Sequence, residues 1–106
     1  MQKILENTRI RRRFLEKVLH PEERLEDVRA EYLASRWAVK EALHKAAGNQ
    51  LVVFSEVWVR KHASGQPYLE FTGNTKETLS FVGSAFVSLS HEDDVSAAVV
   101  VLTASE

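Results

Sequence analysis

Residues 32–46 read Tyr32-Leu33-Ala34-Ser35-Arg36-Trp37-Ala38-Val39-Lys40-Glu41-Ala42-Leu43-His44-Lys45-Ala46, and this stretch decides how the chain is read. Wound at 3.6 residues per turn, it puts Tyr32, Val39, Leu43 and Ala46 on one apolar face, the expected core side. Opposite them, Glu41 and Lys45 stand one turn apart, with Trp37, Ala34 and Ala38 as neighbours. Arg36, Lys40 and His44 form a polar ridge between the two faces. A surface helix needs only one apolar face, and this one has two. Small alanines let a backbone or a ligand approach closely, and a charge in such a setting is costly unless paired. Two readings stay open on these residues alone. In the first, Glu41 and Lys45 are a surface pair at i, i+4 in the favourable orientation, on a helix that touches a second subunit; such pairs are common. In the second, Glu41 holds a hard cation and Lys45 meets a phosphate, since magnesium takes one or two carboxylates and fills its other positions with waters and substrate phosphate.

Upstream, residues 2–19 predict a helix, with Ile10, Phe14, Leu15, Val18 and Leu19 as its apolar stripe. His20-Pro21 breaks it. Pro21-Glu22-Glu23 then opens a second helical stretch, with proline in the first turn and acids at the positive end of the dipole. That stretch runs to about Ala47, with a possible break over Arg24–Asp27, and Gly48-Asn49 stops it. Downstream the pattern turns to β. Residues 52–60 alternate, Ser64-Gly65-Gln66-Pro67 is a turn, and Tyr68–Phe71 is a partner strand. Asn74 followed by Glu77 has the spacing of a helix cap and predicts a short helix over 75–82. Phe86–Ser90 and Val95–Leu102 are two more strands around a polar turn, His91-Glu92-Asp93-Asp94. Helices first, then hairpin, helix and hairpin, make an α+β fold: N-terminal helices on a small antiparallel sheet, with residues 1–106 as a single domain.

The chain's 106 residues are enough for one modest core. A net charge of −1, with no aromatic residue interleaved among Arg9, Arg11, Arg12 and Arg13, argues against nucleic acid as a partner. With no cysteine, disulfides, thiolate metal sites and cysteine nucleophiles are excluded. No apolar run approaches the length of a membrane span, and Met1–Glu6 lacks the apolar centre of a secretory signal. The four histidines show no zinc spacing. His20 reads as a helix boundary, His44 as solvated, and His62 as a turn residue without a role. Trp37 and Trp58 read as core or interface, and Glu92-Asp93-Asp94 as a solvated hairpin tip.

The segment Arg36-Trp37-Ala38-Val39-Lys40-Glu41-Ala42-Leu43-His44-Lys45 resembles the signature helix of the 4′-phosphopantetheinyl transferases: an aromatic, two small or apolar residues, Lys-Glu-Ala, two variable residues and Lys. Three further stretches resemble the same family in the same order. These are Arg13–Leu19 followed by Pro21-Glu22-Glu23, Val57–Arg60 followed by Gly65-Gln66-Pro67-Tyr68, and Val87-Ser88-Leu89-Ser90-His91 returning through Val95–Val100. The resemblance spans residues 9–102 and favours the short holo-acyl-carrier-protein synthase type. It implies an enzyme that moves phosphopantetheine from coenzyme A to a serine of apo-acyl carrier protein, with magnesium, releasing adenosine 3′,5′-bisphosphate. By the family motif Glu41 is a magnesium ligand that helps deprotonate the serine, and Lys45 pairs with phosphate oxygens. Arg36 and His91 match positions that contact the nucleotide end of coenzyme A, with Ser90 beside them. Arg13 matches by position the family's docking patch for the acidic carrier protein, and Arg9 and Arg12 are basic neighbours that extend it on the same helix. The resemblance also implies a homotrimer with shared active sites and a cytoplasmic enzyme, or a mitochondrial one if a presequence is missing from this chain.

The chain departs from the family in two places. The family opens on a strand reading Gly-Ile-Gly-x-Asp, whose aspartate is a second magnesium ligand, whereas no Gly-x-Asp precedes Arg13 and Glu6 has the wrong context. The expectation is therefore a domain lacking the first strand, and an alternative function stays open: a truncated or remnant form that binds coenzyme A or carrier protein with impaired catalysis. The stretch Ala47-Gly48-Asn49-Gln50-Leu51 is also shorter than the glycine-rich loop of many relatives, which puts phosphate contacts from that loop in doubt.

Overall fold

The computed structural model describes residues 8–25, 27–92 and 95–105. Helix α1 spans Thr8–Val18; the part of the helix expected before Thr8 lies outside the described residues. Leu15, Val18 and Leu19 recur at i, i+3 and i+4, so one side of α1 is buried, packing with Val28 and Leu33. Ile10, expected in the same stripe, stays half exposed. The helix ends where Pro21 pushes His20 out of helical geometry, to φ −59°, ψ 147°. Arg24 reaches back over this end, donating from Nε to the Leu19 carbonyl (3.2 Å) and from Nη2 to the Glu16 carbonyl (3.0 Å).

Pro21–Glu23 forms a single 3₁₀ turn and the next helix starts only at Ala30, so the break expected over Arg24–Asp27 runs longer than the sequence indicates. His20 caps this turn, its Nδ1 accepting from Glu22 N–H at 3.1 Å while the Glu23 carboxylate accepts from His20 N–H at 2.9 Å. The long helix α2 begins at Ala30 and runs to Ala46. It stops where expected: Ala47 N–H bonds the Leu43 carbonyl (2.9 Å) and Gly48 takes φ 70°, a left-handed geometry that glycine adopts at no steric cost. Leu33 joins the α1 cluster, whereas Leu43 joins a second cluster with Ala47, Val52, Val57 and Leu79. Trp37 lies between Phe14 and Phe54, 5.6 Å from each ring centroid, as the core reading of this tryptophan expects.

The inward face of α2 differs from the wheel drawn from sequence. Leu33, Val39, Lys40 and Leu43 are buried, Tyr32 is half-buried and Ala46 is exposed. Lys40, expected on a polar ridge, has no exposed surface. It donates to the Val18 carbonyl and to Glu23 of the Pro21–Glu23 turn, each at 2.5 Å, and the Glu23 carboxylate in turn accepts from Val59 N–H in the strand that follows. Burial holds the Lys40 ammonium below its usual range, with the Glu23 charge pulling the other way.

Strands β1 (Val57–Lys61) and β2 (Pro67–Phe71) form an antiparallel hairpin, and β3 (Val82–Glu92) and β4 (Val95–Ala104) form another. They are separate two-stranded sheets, so the helices meet two hairpins rather than the one small sheet expected. The first turn uses Gly65 at φ 92°. The strand expected over 52–60 begins only at Val57, because Val53 N–H goes to Thr75 Oγ1 (3.0 Å) and Phe54–Glu56 coils into a 3₁₀ turn. That turn delivers the Glu56 carboxylate to the short helix α3, Gly73–Thr78, where it accepts from Asn74 N–H, Thr75 N–H and Thr75 Oγ1 at 3.2, 3.0 and 2.7 Å. The expected Asn74 cap is therefore replaced by an acid from a distant turn, and the helix starts and ends earlier than 75–82. From Ala85 to Ser90 in β3 and from Val95 to Thr103 in β4 half-buried and exposed residues alternate, after a register shift between Val82 and Ser84. Val82, Val100 and Leu102 pack on the second cluster, while Phe86, Val95, Val99 and Val101 face outward and are more than half exposed. His91 and Glu92 extend β3 beyond the expected end, and the rest of the predicted tip, Asp93 and Asp94, lies outside the described residues. Among the described residues no helix is long and apolar enough to cross a membrane.

Candidate active site

Arg36, Ser90 and His91 line one cavity of about 680 Å³. The first half of α2 forms one wall, with Tyr32 and Ser35; the turn of the first hairpin forms another, with Lys61 and Gln66; the end of β3 supplies Ser90 and His91. Alternation makes Ser90 exposed, and its cross-strand partner Ala97 is small, so nothing bulky stands over the end of the hairpin.

Arg36 is held from several sides. Its guanidinium stacks 4.2 Å above the Tyr32 ring. Nη1 donates to Ser35 Oγ at 3.0 Å, and that hydroxyl donates to the Tyr32 carbonyl at 2.8 Å. Burial raises the Tyr32 phenol above its usual value, and the neighbouring Arg36 charge opposes the rise. The phenol is therefore neutral around pH 7.

Glu41 and Lys45 lie further along α2 and outside that cavity. At ~100° per residue, Glu41 projects about 140° and Lys45 about 180° around the axis from Arg36. Glu41 is half-buried and Lys45 exposed, and among the described residues neither forms an ion pair. The i, i+4 pair considered from the sequence is thus not made. Glu41 presents a carboxylate without a protein partner among the described residues, and a hard oxygen donor of this kind fits a magnesium ion that draws its other ligands from water and phosphate. Among the described residues no group of three or more acids and histidines converges on a metal position.

On α1, Arg9, Arg12 and Arg13 are all exposed, whereas Arg11 is half-buried. His44 is exposed with its ring edge-on to Phe54 at 6.4 Å, and His62 stacks on Tyr68 at 4.2 Å. Trp58 is half-buried, stacked on His20 at 5.3 Å, and the Arg60 guanidinium lies 4.1 Å from its ring centroid.

The arrangement so far is a long helix carrying Arg36, Glu41 and Lys45, with Ser90-His91 brought to it by a closing hairpin. The family model of the 4′-phosphopantetheinyl transferase superfamily matches residues 1–100. The chain belongs to this superfamily. A holo-[acyl-carrier-protein] synthase from Desulfovibrio desulfuricans is 39% identical over 104 residues, covering 92% of this chain and 84% of that protein. The structure of holo-[acyl-carrier-protein] synthase from Neisseria meningitidis superposes with a TM-score of 0.82 at 28% identity, covering 96% of this chain and 90% of that one. The Helicobacter pylori holo-[acyl-carrier-protein] synthase, solved in complex with coenzyme A, superposes with a TM-score of 0.79 at 25% identity over the same shares. The recognition of a phosphopantetheinyl transferase of the holo-acyl-carrier-protein synthase type, and of its α+β fold, is borne out.

What the sequence reading of this transferase missed is Glu23, together with the burial of Lys40. Glu23 is 1% exposed, and its carboxylate binds His20 N–H, Val59 N–H and Lys40. A signal was present. Leu33, Lys40, Leu43 and Ala47 recur at spacings of seven, three and four, an inward stripe in which Lys40 holds a core position.

Proposed function

We propose that this chain transfers 4′-phosphopantetheine from coenzyme A to a serine of apo-acyl carrier protein and releases adenosine 3′,5′-bisphosphate. The observation that carries the reading is the single cavity shared by Arg36, Ser90 and His91, side chains brought together from α2 and from the far end of β3. A cationic guanidinium stacked on a ring, a hydroxyl and an imidazole suit the phosphates and base of a nucleotide. Lys45 meets the pyrophosphate, and its ammonium offsets charge that builds up as the bridging bond breaks. Glu41 would hold a magnesium ion, which when bound would neutralise phosphate charge. The serine oxygen forms a bond to the β-phosphorus, the bond from that phosphorus to the bridging oxygen breaks, and the nucleotide leaves with the electron pair. The serine proton passes to the Glu41 carboxylate, directly or through a water.

Glu41 and Lys45 point away from Arg36 around α2, so a ligand that meets all three spans two copies of the chain. We therefore place the active sites between subunits of a homotrimer, with the outward row Phe86, Val95, Val99 and Val101 as the apolar contact. Arg9, Arg12 and Arg13 form the docking patch for the acidic carrier protein, which acts on encounter rate more than on affinity. The enzyme works as one domain, in the cytoplasm. A second reading, a protein that binds coenzyme A or carrier protein without efficient transfer, is favoured by one observation: among the described residues no group of three or more acids and histidines could hold a metal ion.

The test is the mass of apo-acyl carrier protein incubated with the chain, coenzyme A and magnesium, with Glu41→Ala in parallel. A magnesium-dependent gain of one phosphopantetheine, lost in the variant, supports transfer. Coenzyme A binding without any gain supports the second reading, and neither binding nor gain removes both.

A further inference from the structure

The buried Glu23 carboxylate has no part in the chemistry above, yet it lies directly behind the cavity. Its Oε1 accepts from His20 N–H at 2.9 Å and Lys40 Nζ at 2.5 Å, and its Oε2 accepts from Val59 N–H at 3.0 Å. Oε2 also lies 4.0 Å from Arg36 Nε, a nitrogen that is buried and finds no hydrogen-bond partner among the described residues. Nε therefore faces a carboxylate it does not quite reach, at a separation where attraction in a poorly solvated setting is still large. The guanidinium is a rigid plane. Its face is set against Tyr32, Nη1 against Ser35, and Nε against the pull of Glu23. We propose that Glu23 is a positioning residue for nucleotide recognition: from behind the cavity it sets the direction in which Arg36 presents its guanidinium to the phosphates. Lys40 and the two backbone amides hold the carboxylate itself in place. The inference rests on the proposed contact between Arg36 and the nucleotide end of coenzyme A.

The test is a double-mutant cycle read by calorimetric titration of adenosine 3′,5′-bisphosphate, which isolates the nucleotide end from the pantetheine arm. Glu23→Gln with Lys40→Met removes both buried charges together, and the same pair is made in an Arg36→Ala background. Replacement of the pair is expected to raise Kd about tenfold when Arg36 is present and less than about twofold when it is absent. Should the pair replacement not fold, Glu23→Asp carries the same cycle, because it keeps the charge for Lys40 and withdraws it from Arg36; the same non-additivity is expected. An unchanged Kd with Arg36 present overturns the inference, and so does an equal loss in both backgrounds, which would mark a purely structural acid. Failure of the unmodified chain to bind the nucleotide overturns the functional reading, and this inference with it.

Discussion

Lys40→Met keeps an unbranched side chain of similar length and removes one charge from a site with none of its surface exposed. The Glu23 side chain has no exposed surface either. The variant therefore leaves a carboxylate buried without its counter-ion and the Val18 carbonyl without its donor. Breaking a buried pair by removing one partner costs about 3–5 kcal/mol. Here Glu23 keeps the N–H groups of His20 and Val59, which lowers the cost to the bottom of that range, about 3 kcal/mol. For a domain of this size that is a fall in Tm of about 12–15 °C. The assay is urea unfolding followed by tryptophan fluorescence at fixed protomer concentration, because assembly otherwise shifts the midpoint. Adding Glu23→Gln to Lys40→Met removes the stranded charge and is expected to restore about half of the loss. A loss below about 1 kcal/mol for Lys40→Met, or a double variant as unstable as the sum of the singles, refutes the reasoning.

Three further outcomes are expected. The Glu56 carboxyl is held below its usual 4.5, first by the Thr75 hydroxyl and then by the Thr75 and Asn74 amides. Its contribution to stability is therefore present above pH 4.5 and lost as pH falls through the lowered folded value; urea titrations in that acid window should show a shallower pH dependence for Glu56→Gln than for the parent chain. Gly73→Ala meets both a left-handed φ of 59° and the Glu56 carboxylate, whereas Gly48→Ala meets φ 70° and open space. The first should cost about 1–2 kcal/mol more than the second by thermal unfolding, and equal losses would show that the Glu56 contact yields freely. Phe86→Glu sets a charge in the outward apolar row opposite Val101 and should give a monomer by sedimentation equilibrium with unchanged circular dichroism; an unchanged mass would move the subunit contact elsewhere.

Elements with local causes were legible in the residues, and those with distant causes were not. Pro21 and Gly48 bound their helices by backbone restrictions that travel with the residue, and the alternation of β3 and β4 shows which face is wet. Residues 52–56 alternate as a strand does, but the partner that captures Val53 is Thr75, far along the chain. Asn74 has the spacing of a cap and loses the position to Glu56 for the same reason. At the candidate site, Glu41 and Lys45 were visible as charges on a face that should be apolar. Arg36, Ser90 and His91 were joined only by the family motif, since no periodicity links a helix to the end of a hairpin. Lys40 misled the wheel because a lysine in an inward stripe reads as surface until its acid is found, and Glu23 reads as an ordinary first-turn acid.

Helix α2 enters both hydrophobic clusters, through Leu33 at one end and Leu43 at the other. Loss of either cluster frees one half of α2 and breaks part of its run of hydrogen bonds, which couples the two clusters energetically. The same continuity makes α2 a ruler: Arg36 and Lys45 are nine residues apart, and at ~1.5 Å per residue their backbones are held about 13–14 Å apart along the axis. Loops can drift while that spacing stays constant, so the groups α2 presents on its two opposite sides keep a fixed separation along the axis.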